Sequence, residues 1–103
     1  MGFDEEVWKL MEKIPKGKVT TYGLIARKLK TRAYRAVGNA CRKNPYAPRV
    51  PCHRVVRSDG SIGGFGGETS GKTVERKIRL LTKENVEVKN GRIVDFKKVL
   101  FKF

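Results

Sequence analysis

Acidic side chains are scarce in this sequence. Ten Asp and Glu stand against 24 Lys and Arg in 103 residues, a formal charge of +14. A charged surface built only for solubility or heat resistance mixes the two signs. An excess this large points to a polyanionic partner, with nucleic acid ahead of an anionic membrane. Cysteine is scarce too. The two thiols, Cys41 and Cys52, are too few for a disulfide scaffold and imply free thiols in a reducing compartment, cytoplasmic or nuclear. No apolar run approaches the roughly 18 to 20 residues that a bilayer-spanning helix needs. The start MGFDEE is acidic and lacks an apolar signal core, which argues against secretion. Met1-Gly2 opens like an acylation signal, but Glu6 stands where that signal needs Ser or Thr. Repeats and low-complexity stretches are also missing. What is there is 39% hydrophobic content, too much for a disordered chain. Residues 1–103 read as one domain with one modest core.

Along the chain, Asp4 is placed to cap a first helix, with Glu5 and Glu6 on its positive end. Val7, Leu10, Met11 and Ile14 recur at helical spacing and predict a buried face, which Pro15-Lys16-Gly17 stops. Val19 to Thr21 is a short extended entry, and Thr21 caps a second helix from about Tyr22 with Leu24, Ile25 and Leu29 inward. Lys30-Thr31-Arg32 is a turn, with Thr31 as cap of a third helix that ends before Asn44-Pro45. The inner face of that helix is Ala33, Ala36, Val37, Ala40 and Cys41. Two short helices joined by a tight turn predict a helix-turn-helix. On the outer face Arg35, Gly38, Asn39 and Arg42 share one side. Gly38 costs about 1 kcal/mol of helix propensity against Ala, which makes sense if another surface must approach that backbone.

Val50 to Val56 reads as a short buried strand with Cys52 in or near it, followed by the turn Ser58-Asp59-Gly60-Ser61. Gly63, Gly64, Gly66 and Gly67 surround Phe65 in a loop, and the Gly71-Lys72-Thr73 that follows is only a weak match to a phosphate loop, for want of the strand that should precede it. A fourth helix is predicted from about Lys72 to Glu84, packing Val74, Ile78 and Leu81. Asn90-Gly91 between two short apolar runs predicts a hairpin, and the basic, aromatic tail DFKKVLFKF a docked last turn or strand. The fold class is α/β: a single, mostly helical, winged-helix-like domain with a small β-hairpin.

Pro51-Cys52-His53-Arg54 sets the only histidine beside a cysteine and an arginine. A thiol attacks as thiolate, and a nearby base or cation raises the thiolate fraction. Strand neighbours point to opposite faces, so His53 reaches Cys52 only through a kink or a bridging water. The bland alternative is a buried Cys beside a core His. Zinc does not fit, since Cys41, Cys52 and His53 lack a structural zinc spacing.

PCHRVV, preceded by RAVGNACRKNP and followed by a Gly-aromatic-Gly loop, resembles the O6-alkylguanine-DNA alkyltransferases, the methylated-DNA–protein-cysteine methyltransferases. The likeness runs from about Phe3 to the end and includes GKVTTYGLIA and VEVKNGRI. It implies a single-turnover repair protein that flips a damaged guanine from double-stranded DNA and takes the alkyl group irreversibly, with no dissociable cofactor and no metal. By matched position, Cys52 is the acceptor, His53 its water-linked base, Glu84 the carboxylate that orients the histidine, and Asn44 the residue that ties the network together. Arg35 fills the gap left by the flipped base and Tyr22 presses on the backbone phosphate. Gly38, Asn39 and Arg42 face the minor groove, and Val55, Phe65 and Gly66 line the base pocket.

Two departures stand out. Most members of that family carry a separate N-terminal domain, whereas this sequence starts at the catalytic one. Phe65 and Gly66 also stand where many members have Tyr and Ser, which removes hydroxyls that could hold the base. The length also resembles the alkyltransferase-like proteins, which bind alkylated DNA without repairing it and replace the acceptor Cys; here Cys52 is present. A helix-turn-helix regulator would need a dimerisation helix; none is evident, and a monomer is expected.

Overall fold

The computed structural model describes residues 2–62 and 72–103. Helix α1 (Phe3–Glu12) buries Val7, Leu10 and Met11, with Ile14 just past its end, as the spacing predicts. Its cap differs from expectation. Gly2, not Asp4, is the N-cap, and its N–H donates to Glu5 Oε1 at 3.5 Å. Phe3 packs against the core and draws the helix start forward. Asp4, Glu5 and Glu6 therefore all occupy the first turn, where the helix dipole favours negative charge. Gly17 ends the connection with φ +85°, a backbone that favours glycine.

Strand β1 (Thr20–Thr21) runs straight into α2 (Tyr22–Lys28), and Thr21 Oγ1 accepts the Leu24 N–H at 3.0 Å as the predicted cap. Helix α3 (Tyr34–Arg42) follows after a short turn and completes the helix-turn-helix. Two local expectations are corrected. Thr31 Oγ1 accepts from Ala33 N at 3.1 Å, so it shapes the turn, and Ala33 is itself the N-cap. As a cap, Ala33 lies outside the helix proper and is exposed rather than inward. The inner face is Val37, Ala40 and Cys41, packed with α1 and with Ile25 and Ala26 of α2 in one cluster.

The segment holding Cys52 is not a strand. Cys52–Arg54 form a single 3-10 turn, closed by Arg54 N–H to Pro51 O at 2.9 Å, and strand β2 begins only at Val55–Val56. Pro51 has no N–H to give a sheet ladder. β2 pairs in parallel with β1, Thr20 opposite Val55 and Thr21 opposite Val56.

Helix α4 (Lys72–Lys83) leads to the hairpin of β3 (Val88–Lys89) and β4 (Arg92–Ile93). Asn90 and Gly91 both take positive φ, 53° and 73°, as a two-residue hairpin turn requires. The hairpin docks on the preceding turn through Ile62 N–H to Gly91 O and Ile93 N–H to Gly60 O, at 3.0 and 2.9 Å. Here a second core cluster gathers Val19, Val56, Ile62, Leu81, Val86 and Ile93. The tail docks as a one-turn helix α5 (Phe96–Val99) and then runs beside Val19, whose N–H and C=O bond Val99 O and Phe101 N–H at 2.9 and 2.7 Å. A helix-turn-helix flanked by a small hairpin matches the predicted winged-helix-like class. The glycine-rich loop with Phe65 and Gly66 lies outside the described residues. Among the described residues no helix is long and apolar enough to cross a membrane.

Candidate active site and nucleic-acid interface

The 3-10 turn does what a strand cannot: it holds consecutive side chains of PCHR on buried partners. The Cys52 thiol is 8% exposed and His53 2%. His53 Nε2 lies 3.2 Å from Glu84 Oε2. Burial pushes the Glu84 pKa up, but hydrogen bonds from Arg54 and His53 more than offset this and leave it below the ordinary carboxylate range. An ionised carboxylate only accepts, so Nε2 carries the proton and donates it to Glu84. The lone pair of the neutral ring is then on Nδ1, which is buried and accepts no hydrogen bond from the described residues. Burial holds the His53 pKa below its usual value despite Glu84, so the imidazole is a neutral base at pH 7.

Glu84 is itself gripped from behind. Arg54 Nε donates to Oε1 at 2.8 Å and its terminal nitrogen to Oε2, while its other terminal nitrogen donates to Ile14 O at 2.6 Å. The arginine of PCHR is thus committed to the carboxylate and to the end of α1, not to the thiol. Asn44, just past α3, closes the loop before the cysteine: Nδ2 donates to Val50 O at 2.7 Å and Oδ1 accepts from Tyr46 N at 3.0 Å. Burial raises the Cys52 pKa; a hydrogen bond from the Asn44 side chain and the charge of Lys77 oppose that without reversing it. The resting group is therefore a thiol that needs a base. Cys41 is further from reactivity, with burial pushing its pKa up to about 12 and its Sγ 3.7 Å from Met11 Sδ.

Sequence reasoning missed two participants. Arg54 was read for its charge beside the cysteine. Lys77 drew no reading from the sequence, yet it is fully buried, donating to Val55 O at 2.8 Å and Ile62 O at 2.5 Å. Burial lowers its pKa to about 8, against the pull of Cys41 and Cys52. A signal existed: Lys77 falls between Val74 and Leu81 at the three- and four-residue spacing of the inner face.

The second group of predicted residues is on α3. Arg35, Asn39 and Arg42 are exposed along one side. A Cβ built on Gly38 would meet nothing within 4 Å, so nothing among the described residues requires glycine there. Tyr22, at the start of α2, packs against the cluster that contains both cysteines, and burial raises its pKa strongly. Val55 is buried in β2.

Residues 2–86 match the family model of the 6-O-methylguanine DNA methyltransferase DNA binding domain. A methylated-DNA–protein-cysteine methyltransferase of Methanosarcina mazei is 40% identical over 86 residues, 82% of this chain and 52% of that protein. One from Candida glabrata is 44% identical over 92 residues, 88% of this chain and 42% of that protein. Among solved structures, Mycobacterium tuberculosis OGT in complex with DNA superposes with a TM-score of 0.73 at 41% identity, over 82% of this chain and 50% of that one. Atl1 of S. pombe, bound to damaged DNA containing O6-carboxymethylguanine, superposes with a TM-score of 0.82 at 31% identity, each chain wholly covered. The chain belongs to the family of the O6-methylguanine-DNA methyltransferase DNA-binding domain. It spans about half the length of the methanogen relative, or 52%.

Proposed function

We propose that this protein takes the alkyl group of an O6-alkylguanine in duplex DNA onto Cys52, once per chain. The observation that carries this is the relay beside the thiol: a buried His53 whose Nε2 is tied to Glu84, whose Glu84 is tied to Arg54, and whose Nδ1 lone pair has no partner among the described residues. His53 takes the Cys52 proton through Nδ1, directly or through one water, and Glu84 stabilises the imidazolium that results. The sulfur then attacks the alkyl carbon. A C–S bond forms, the C–O6 bond breaks, and its electron pair returns to the guanine, which regains its keto form on protonation. A thioether is a poor leaving group, so Cys52 is not regenerated.

The substrate arrives by base flipping. Arg35, Asn39 and Arg42 on α3 face the minor groove, and Gly38 lets the helix backbone approach the sugar walls. Arg35 enters the stack to replace the flipped base, which costs a few kcal/mol of stacking. Tyr22 presses on the backbone near the flipped nucleotide, and Val55, Phe65 and Gly66 line the base pocket. The excess of basic residues supplies the phosphate contacts. The experiment is an incubation with a duplex carrying O6-methylguanine, followed by intact mass and peptide mapping. One methyl on Cys52 and none on Cys41 is expected. Label on Cys41, or several turnovers, removes this mechanism.

The full-length superposition on Atl1 favours a second reading, a sensor that binds alkylated DNA while Cys52 stays idle. Tight binding of the lesion duplex with no mass gain on Cys52 over hours selects it.

A further inference from the structure

Away from the His53 relay, a cleft of about 580 Å³ opens along α1 and the 44–50 loop. Its walls include Phe3, Trp8 and Tyr46, and its rim carries Asp4, Glu5 and Glu12. This is an odd feature on a chain of net charge +14. Trp8 and Tyr46 stand edge to face, centroids 5.9 Å apart and planes at 85°, so they form a corner with two aromatic walls. The corner is rigid on one side, because Trp8 Nε1 donates to Ala40 O at 2.8 Å. Tyr46 is nonetheless 47% exposed, one of the largest apolar groups the chain leaves in solvent.

An aromatic corner with carboxylates at its edge is the chemistry that holds organic cations. Outside the cleft lining, the Arg49 guanidinium lies over the Tyr46 ring at 5.5 Å, a cation–π contact to one of the two rings. Asp4 is loosely answered by Lys43 at 3.8 Å, and Lys9 is the one cation among the described residues that line the cleft. The Glu5 and Glu12 carboxylates have no cationic partner among the described residues. We propose that this cleft is a docking site for an arginine- or lysine-bearing segment of another protein. A guanidinium or ammonium would seat in the Trp8–Tyr46 corner, with Glu5 and Glu12 as counter-charges. Charge complementarity selects the partner: the strongly basic remainder of the chain repels such a segment, so this cleft is where it settles. The site is independent of the alkyl-transfer chemistry at Cys52.

Trp8 is the only tryptophan, so its emission reports on the cleft directly. The probe is a nonapeptide of alternating arginine and glycine, titrated at low salt into the intact protein. The control is the same peptide with citrulline, a neutral isostere, in place of arginine. The expected result is a saturable change in Trp8 emission with the arginine peptide alone. It should weaken about fivefold in a Glu5→Gln/Glu12→Gln double variant, the combined loss of two exposed charge contacts. Glu87→Gln, an exposed acid elsewhere, should leave the curve unchanged. An absent response, an equal response to citrulline, or an unaltered curve in the double variant would each overturn the proposal.

Discussion

Arg54 and Glu84 allow stability and chemistry to be separated in one set of variants. Their side chains are 11% and 12% exposed, and Arg54 makes its two bonds to Glu84 and one to Ile14 O. Removing one member of such a pair leaves its partner charged, mostly desolvated and short of partners, which typically costs 3–5 kcal/mol. The residual exposure argues for the lower end. Arg54→Met and Glu84→Gln should each lower the unfolding free energy by about 3 kcal/mol, a large share of the roughly 5–15 kcal/mol expected of a domain. The double variant should lose only about 4 kcal/mol, because no stranded charge remains and the coupling of about 2 kcal/mol is recovered. Urea unfolding followed by Trp8 emission measures this. Single-turnover transfer on folded protein should rank the variants differently. Glu84→Gln should slow transfer about 100-fold, since the base loses the carboxylate that orients it. Arg54→Met, which leaves Glu84 to His53, should slow it far less. Additive losses of stability would refute the clamp. Full transfer in Glu84→Gln would refute the relay.

Three other outcomes follow from the same geometry. Burial holds the His53 pKa below 6.5, so the transfer rate should fall with acidification at a midpoint below 6.5, and His53→Ala should flatten the profile. Stability should fall through the same window, because the unfolded chain binds a proton that the folded ring refuses; a transfer rate that stays flat as the pH falls from 8 to the onset of acid unfolding would remove His53 as base. Gly38→Ala should stabilise the fold by about 0.8 kcal/mol through helix propensity, since the added methyl meets nothing among the described residues, yet weaken duplex binding. Unchanged affinity in a filter or anisotropy assay would make Gly38 merely tolerated. Arg35→Ala should slow transfer strongly on a paired lesion and weakly on single-stranded DNA, where extrusion is already cheap, with poor rescue by Arg35→Lys. Equal losses on both substrates would reduce Arg35 to ordinary electrostatics.

The sequence by itself determined what depends on neighbours within a few residues. The inward face of α1, the Thr21 cap, the Asn90-Gly91 hairpin and the outer row Arg35, Gly38, Asn39 and Arg42 all follow from helical spacing or local turn chemistry. The PCHRV segment pointed to Cys52 as the acceptor by likeness to a family. Local rules failed at element ends, where tertiary contact chose between near-equal options. Packing of Phe3 moved the first cap from Asp4 to Gly2, and Pro51 turned an apparent strand into a 3-10 turn. Only the tertiary structure decided the rest. Arg54 and Glu84 are 30 residues apart in sequence, and no periodicity announces that they meet. Lys77 looks solvated because lysine usually is, yet α4 carries it into the core, where the carbonyls of Val55 and Ile62 receive it. The proton state of Cys52 and His53 belongs to the same category, because a pKa is set by the groups that surround a side chain in space rather than those beside it in the chain.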